Sequence, residues 1–470
     1  MNVMEKLRAT TFALAALMRT RTLRVAILLL LVCGFLEAGT VSNRKDANNL
    51  SKSIERAFQE RETQLVDLDA DASLEGYLAY AAINNPGLKA AFYRWKAELE
   101  RIPAVTALPD PMVSYGYYIE NVETRVGPQN QRFSLKQSFP WFGTLDKKGE
   151  AAFESANVAY QKYQKEKLRL FYQVKSAYYD YYYLGRDIEL TRDNMELLKY
   201  WESVARTKYK AGLKQHPDVI KAQVELGKLE DRLLSLEEMT VPTAARLRAV
   251  LNLPDSIELP IPGTIAPGTP LLDRDSVLAK TLANNPDLIA IDHLIRKEKA
   301  EISLTGKASY PNFTLGVDYL ETGQALNPSL DESGKDPWLV SVSVNLPIWF
   351  GKNKAKRNAA RARHKMAQHN LEDAKNALAA VTERVVFEYE DAQRKISLYR
   401  DGLIPKAEQS LNVSYTAYQV GESDFLTLLD AQRQLLDFQL KLEKSLTESS
   451  KKLAELEMIT GHQIDYNQKP

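Results

Sequence analysis

The two halves of this chain repeat one another, and the repeat constrains the architecture before any single residue does. Pro111-Met112-Val113-Ser114-Tyr115-Gly116 returns 200 residues later as Pro311-Asn312-Phe313-Thr314-Leu315-Gly316. Asn84-Asn85-Pro86 returns as Asn284-Asn285-Pro286 and Trp141-Phe142-Gly143 as Trp349-Phe350-Gly351. Tyr209-Lys210-Ala211-Gly212 returns as Tyr418-Gln419-Val420-Gly421. Such a period lies far above the roughly 20–50 residues of solenoid repeats. The repeated unit is domain-sized, and the order of elements inside it carries the functional information.

Each unit opens with a short helical pattern (Leu74–Ile83, Ser276–Ala283) stopped by Asn-Asn-Pro. A second helix follows, from Gly87 to about Ile102 and from Asp287 to about Leu304. Proline has no N–H to donate, so Pro103 is expected to end the first copy; Gly306 and Pro311 punctuate the second. The apolar period then changes from 3.6 to 2. Val113, Tyr115, Tyr117 and Ile119 alternate with Ser114, Gly116, Tyr118 and Glu120, and Phe133, Leu135 and Phe139 with Arg132, Ser134, Lys136 and Ser138. In the second copy Phe313, Leu315, Val317 and Tyr319 alternate with Thr314, Gly316 and Asp318. Trp338, Val340, Val342, Val344 and Leu346 alternate with Ser341, Ser343 and Asn345. These patterns predict four strands, each apolar on one face and small or polar on the other.

Helix follows. Thr144 to Tyr209 contains no proline, and Lys352 to Tyr418 is interrupted only by Gly402 and Pro405. At 1.5 Å per residue each stretch runs roughly 100 Å, and a helix that long needs a partner along its length. Phe171, Val174, Tyr178, Tyr181 and Ile188, like Leu371, Ala374, Leu378, Val381 and Val385, keep the three-four rhythm of a coiled-coil seam. Gly212 and Gly421 then break the chain, and returning helices span Asp218–Leu253 and Asp424–Ile459, with a kink expected at Pro242. The expected organisation is repeat 1 over 73–253 with its strand hairpin at 112–139, and repeat 2 over 272–461 with its hairpin at 312–346. An extended Pro-rich linker at 254–271 joins them.

The ends and the composition narrow the setting. Arg19, Arg21 and Arg24 precede an apolar run from Val25 to Phe35, the layout of a signal peptide over 1–39, too short for a membrane anchor. The one cysteine, Cys33, lies in that run. Val32 stands where an acylated cysteine would have a small residue, so cleavage is expected near Ala38 or Gly39. Residues 40–72 are expected to form an N-terminal periplasmic extension and 462–470 a tail. Lys plus Arg (62) nearly cancels Asp plus Glu (61), so no net field attracts nucleic acid. Beyond residue 40 no run approaches the roughly 18 apolar residues of a membrane helix. If the chain crosses a membrane, strands must do it.

In hydrocarbon every backbone polar group must be paired within protein, which for strands means a closed barrel. Bacterial barrels begin at about eight strands, and one chain offers four. Two copies would give a filled barrel, three an open one. Small and polar inward residues (Ser114, Gly116, Ser134, Ser341, Ser343) favour three. The expected fold class is mainly α with membrane β, internally duplicated: a long α-helical barrel plus a trimer-shared 12-strand transmembrane β-barrel, four strands per chain.

The paired Asn-Asn-Pro helix starts, the strand pairs ending in Pro140-Trp141-Phe142-Gly143 and Pro347-Ile348-Trp349-Phe350-Gly351, and the turns leading into Ala222-Gln223 and Leu429-Asp430-Ala431-Gln432 resemble the TolC-like outer-membrane factors over about 73–461. Ala107–Pro111 with Gln137–Trp141 is most similar to the branch serving heavy-metal or drug efflux. The resemblance implies a homotrimer in the outer membrane, a periplasmic helical barrel, and docking to a periplasmic adaptor (membrane fusion protein) and an inner-membrane pump. It implies a passive duct without cofactor. An outer-membrane duct for type I protein secretion is the alternative within the class. A periplasmic coiled-coil adaptor is the alternative outside it, and four amphipathic strands argue against that.

The resemblance also implies a periplasmic gate at Asp218, Tyr418 and Asp430. Thr427 and Ser423 stand where the family has an acidic and a basic residue. Read from the residues alone, Asp218 and Asp424 are equally helix N-terminal carboxylates favoured by the dipole. Gly212, Leu213, Gly421 and Glu422 are the expected adaptor-contact tips. Trp141, Phe142, Trp349 and Phe350, with Tyr115, Phe139 and Trp338, fit membrane-interface girdles. The cluster Tyr172, Tyr178, Tyr179, Tyr181, Tyr182 and Tyr183 has the spacing of helix packing rather than of a ligand site. His216, His293, His364, His369 and His462 have no partners at metal-ligand spacing, and no phosphate loop or nucleophile motif appears, so no metal site and no chemistry are expected.

Overall fold

A computed structural model describes residues 43–61, 73–211, 216–265, 270 and 272–462. The expected signal peptide with Cys33, most of the 40–72 extension, and the tip residues Gly212 and Leu213 lie outside the described residues. Helix α1 (Arg44–Arg61) is the first element among the described residues, and Phe58 packs edge-on against Phe92 at 5.3 Å.

The Asn-Asn-Pro signature does the same work in both halves. Short helices α2 (Leu74–Asn84) and α6 (Arg274–Asn284) are each followed, one residue later, by α3 (Pro86–Thr106) and α7 (Pro286–Lys307). The Asn85 side chain accepts from Leu88 N–H at 3.0 Å and donates to the Val250 carbonyl at 3.0 Å. Asn285 accepts from Asp287 N–H at 2.9 Å and donates to the Ile459 carbonyl, also at 2.9 Å. One amide thus caps a helix start and ties it to the end of that repeat's returning helix. Asn285→Ala removes the cap and leaves a buried carbonyl unpaired, which should destabilise by about 2–4 kcal/mol. Thermal unfolding of the purified protein measures it; a Tm equal to wild type would show that the tie contributes nothing.

Pro103 does not end α3, which continues to Thr106. Proline forfeits one bond to the preceding turn, and the next turn is repaired locally: Ala107 N–H reaches the Pro103 carbonyl, and Thr106 Oγ1 reaches the Ile102 carbonyl at 3.0 Å. The strands β1 (Met112–Val122), β2 (Gln129–Phe139), β3 (Phe313–Thr322) and β4 (Trp338–Val344) form one antiparallel sheet in the order β1-β2-β3-β4. The β2–β3 pairing joins the two repeats, with Leu135 opposite Val317 and Ser134 opposite Asp318.

Helix α4 (Thr144–Lys210) is unbroken over 67 residues. Its counterpart is three pieces in line: α8 (Phe350–Ser397), a π-helical segment at Leu398–Leu403, and α9 (Ile404–Val420). Pro405 cannot donate to the turn before it, and the wider π spacing next to Gly402 absorbs the missing bond. The returning helices are α5 (His216–Leu251) and α10 (Phe425–Thr460), and α5 passes through Pro242 without interruption. The linker crosses α4 at Gly185, where a Cβ would collide with Ile261, and Tyr181 donates to the Leu259 carbonyl at 3.0 Å.

Packing orders the helices as α3-α4-α7-α8 nearer the sheet and α5-α4-α10-α9 farther from it. Among the described residues the sheet ends at β1 and β4, and the helical tiers end at α3 and α5 on one side and at α8 and α9 on the other, with α1 laid against α3 through Phe58–Phe92 and Glu55–Lys96. The described residues form a wall segment rather than a closed body.

Candidate functional site

The sheet has two chemically distinct faces. Side chains of Val113, Leu135, Val317 and Val340 occupy one cross-strand row, and those of Tyr115, Phe133, Tyr319 and Trp338 the next but one. That second row is continuous, with ring centroids 5.2, 6.3 and 5.1 Å apart from β1 to β4. Tyr115 and Trp338 were expected at an interface; Phe133 and Tyr319 complete the row by register, which alternation within a strand does not reveal. From Tyr319 to Phe313 the strand covers about 20 Å. Below Phe313 lies the second aromatic group. Trp141 is half-buried, stacked on Tyr310 at 4.9 Å and Phe313 at 5.8 Å. Phe142, Trp349 and Phe350 are 78, 67 and 76% exposed. Between the two groups stand exposed Val113, Leu135, Leu315, Val317, Val340 and Val342, an apolar band flanked by aromatic groups, the layout of a membrane barrel's lipid face.

The opposite face carries Ser114, Gly116, Arg132, Ser134, Lys136, Ser138, Thr314, Gly316, Asp318, Ser341 and Ser343 in the same registers. Arg132 pairs with Asp318 at 3.0 Å across β2 and β3, and Ser138 with Thr314 at 2.9 Å. An exposed apolar face backed by a polar one, with Ser134 and Asp318 buried among their neighbours, is the pattern of a transmembrane barrel's sheet rather than of a sandwich core, whose apolar face would be covered. Among the described residues no helix is long and apolar enough to cross a membrane.

The far end of the helices holds the expected gate residues. Tyr418 is fully buried against Phe425, centroids 5.4 Å apart. Lys208, near the end of α4, donates to the Tyr418 carbonyl at 2.8 Å and the Gln419 carbonyl at 2.7 Å, with its ammonium 4.7 Å from the Tyr418 ring centre. A cation thus caps the C-terminus of α9 from the other repeat. Burial first, and the negative charge of Asp218 second, push the Tyr418 hydroxyl up to about 12. Asp218 is thus near enough for its charge to act on Tyr418. Asp430 is not with them: it is exposed and pairs with Arg433 at 3.2 Å.

Arg433 is the residue the sequence did not single out. Its Nε donates to Glu225 at 2.9 Å and a terminal nitrogen to the second Glu225 oxygen at 2.5 Å, a bidentate fork joining α10 to α5. The Arg433 hydrogen bond holds the Glu225 carboxyl below the usual range despite its burial. Farther from the tip Arg232 binds Asp187 at 2.8 Å, and beside the fork Gln432 reaches the Asn194 carbonyl at 3.2 Å. Gly421 takes φ 88° as the residue after α9, the left-handed turn its position demands, and Glu422 N–H closes onto the Ala417 carbonyl at 2.8 Å. Asp424 caps α10, accepting from Thr427 N–H at 2.9 Å, so Thr427 and Asp424 form a local cap rather than a second acidic position.

The remaining candidates are structural. Tyr182 donates to Glu443 at 2.7 Å and Tyr178 packs on Tyr77 at 5.9 Å, as expected of inter-helix packing. His293 is buried and bonded to Glu154 at 2.7 Å. Among the described residues no group of three or more His, Cys, Asp or Glu is placed to hold a metal ion.

Comparison with known proteins agrees with this geometry. The family model for outer membrane efflux proteins matches residues 78–253 and 277–462, one match per repeat. Nodulation protein T of Rhizobium leguminosarum bv. trifolii is 23% identical, over 77% of this chain and 79% of that protein. The crystal structure of the outer membrane protein VceC from Vibrio cholerae superposes with a TM-score of 0.68 at 18% identity, over 83% of this chain and 97% of that one. The open state of the Neisseria gonorrhoeae MtrE outer membrane channel gives 0.69 at 18% identity, over 84% and 91%. Duplicated family match, strand faces and helical tiers converge, and the periplasmic-adaptor alternative falls with them: this chain belongs to the outer membrane efflux protein family, the TolC-like outer-membrane channels with a periplasmic helical tunnel.

Proposed function

We propose that three copies of this chain assemble into a passive duct that carries small solutes or metal ions out through the outer membrane from an inner-membrane pump, with a periplasmic adaptor seated at the helical tips. The observation that carries the assembly is the set of edges at which the sheet and the helical tiers end. An unpaired β1 or β4 edge in hydrocarbon is intolerable, and α3 and α8 stop short of one another on the same two sides. A second and third copy satisfy all three tiers at once, giving 12 strands around a lumen lined by the Ser, Gly and Arg132–Asp318 face.

In this reading Asp218, Tyr418 and Asp430, with Lys208 and the Arg433–Glu225 fork, hold the periplasmic tip closed at rest, and Gly421, Glu422, Gly212 and Leu213 meet the adaptor. Trp141, Phe142, Trp349 and Phe350 sit where the outer membrane meets water on its periplasmic side. The chain performs no chemistry; energy comes from the pump. The test is assembly and conductance together. Wild type should run as a heat-modifiable oligomer from outer-membrane fractions and open rarely in planar bilayers. Asp218→Ala with Asp430→Ala should raise the conductance severalfold. An oligomer whose conductance is the same in both proteins would remove these carboxylates from the gate.

A further inference from the structure

The first four turns of α8 are unusually basic. Lys352, Lys354, Lys356, Arg357, Arg361, Arg363 and Lys365 fall within fourteen residues, and no Asp or Glu occurs from Gly351 to Leu371. The duplicated fold does not require this. The equivalent start of α4 mixes Asp146, Lys147, Lys148, Glu150 and Glu154, and Lys147 pairs with Glu150 at 2.5 Å.

Asn353, Ala360 and Ala367, seven residues apart, are the buried stripe of this segment, and Asn353 donates to the Ala308 carbonyl at 3.4 Å just past α7. Two of the cations are used locally: Arg363 pairs with Glu298 at 3.1 Å and Arg357 reaches Ser309 at 3.4 Å. Lys352, Lys354, Lys356, Arg361 and Lys365 are exposed, and none has a carboxylate partner among the described residues. At about 100° per residue, Lys352 and Lys356 fall on one flank of the buried stripe and Lys354, Arg361 and Lys365 on the other. In a tube wall one flank looks outward and the other into the duct, so either orientation puts at least one lysine outside near the top of the helix.

Height decides what that outward flank meets. Trp349 and Phe350 are exposed at the base of the apolar band. Lys352, Lys354 and Lys356 lie only about 3–9 Å along the helix below them, within reach of the headgroup layer, which adds roughly 5–7 Å on each side of the hydrocarbon. Arg361 and Lys365 follow at about 16–22 Å, where the surface field is weaker.

We propose that this basic collar binds the phosphate headgroups of anionic phospholipid in the membrane leaflet facing the periplasm, fixing the height of the duct; this rests on the trimeric duct proposed above. The test compares wild type with a variant carrying K352Q, K354Q, K356Q, R361Q and K365Q, which leaves Arg357 and Arg363 in place. Both are purified in detergent with equimolar dioleoyl phosphatidylglycerol and dioleoyl phosphatidylcholine, and retained lipid is quantified by mass spectrometry. Wild type should retain phosphatidylglycerol over phosphatidylcholine by about fivefold or more, and the variant should show no preference. Equal preference in both proteins would overturn the collar, as would a variant that keeps its lipid but shifts the ion selectivity of the channel, which would give these cations to the duct. The heat-modifiable oligomer band is read in the same samples: present in both, it leaves the duct standing whatever the lipid result; absent from wild type, it brings down the duct reading first.

Discussion

Val340→Arg is expected to deplete the protein from the outer membrane, whereas Ser341→Arg, one residue further on, should leave it there. Val340 is 74% exposed in the single chain and stands in the row Val113–Leu135–Val317–Val340, between the two aromatic groups. A guanidinium at that depth on the lipid face costs about 2–4 kcal/mol per copy, and a symmetric assembly incurs it in every subunit. Ser341 shares its row with Lys136 and Gly316 on the polar face, where an added arginine meets water. The contrast is read from the heat-modifiable band in outer-membrane fractions. Equal recovery of the two variants would mean that the sheet does not divide lipid from lumen.

The second large effect is at the tip. Arg433→Ala leaves Glu225, whose side chain is only 11% exposed, without its bidentate partner on α10 and with only the Lys228 ammonium at 3.4 Å beside it. Stranding a nearly buried carboxylate costs about 1–3 kcal/mol, and the fork is the tie between the lower ends of α5 and α10. Amide exchange near Glu225 and Arg433 should rise about tenfold, while the Asn85 and Asn285 caps at the other end keep their protection. The sign of the pH dependence follows from the depressed Glu225 pKa. The tie is fully present above the ordinary carboxylate range and is lost as pH falls through the lowered folded value. Acidification should therefore raise tip exchange in wild type and much less in Arg433→Ala. If both proteins respond alike, some other group carries the acid response.

Much of this was legible in the chain. Period-two alternation assigns most strand residues to a face, because successive side chains must point oppositely, and it fails only at the register shifts between Tyr117 and Val122 and between Gln129 and Gln131. Asn85 and Asn285 announce helix starts through a contact three residues long. Tyr182 and its neighbours declare packing by their helical spacing. The candidate site was less visible. Asp218, Tyr418 and Asp430 follow from the resemblance alone; the Asp218 charge acts on the Tyr418 hydroxyl, whereas Asp430 pairs with Arg433, which no sequence pattern singles out. Arg433 and Glu225 are 208 residues apart, and nothing in the local pattern of either singles it out from other exposed helical charges. Lys208 likewise looks like any lysine in a last turn until its acceptors on α9 are seen.

The sequence by itself determined the duplication, the two-faced strands, the long helices and their caps, because each depends on contacts within a few residues or on a strict period. The side-to-side order of the helices, the cross-strand register that assembles one aromatic row from four segments, and the pairing of charges between repeats were decided only by tertiary structure. Those depend on which helix or strand lies beside which, and lateral neighbours leave no periodic trace along a chain.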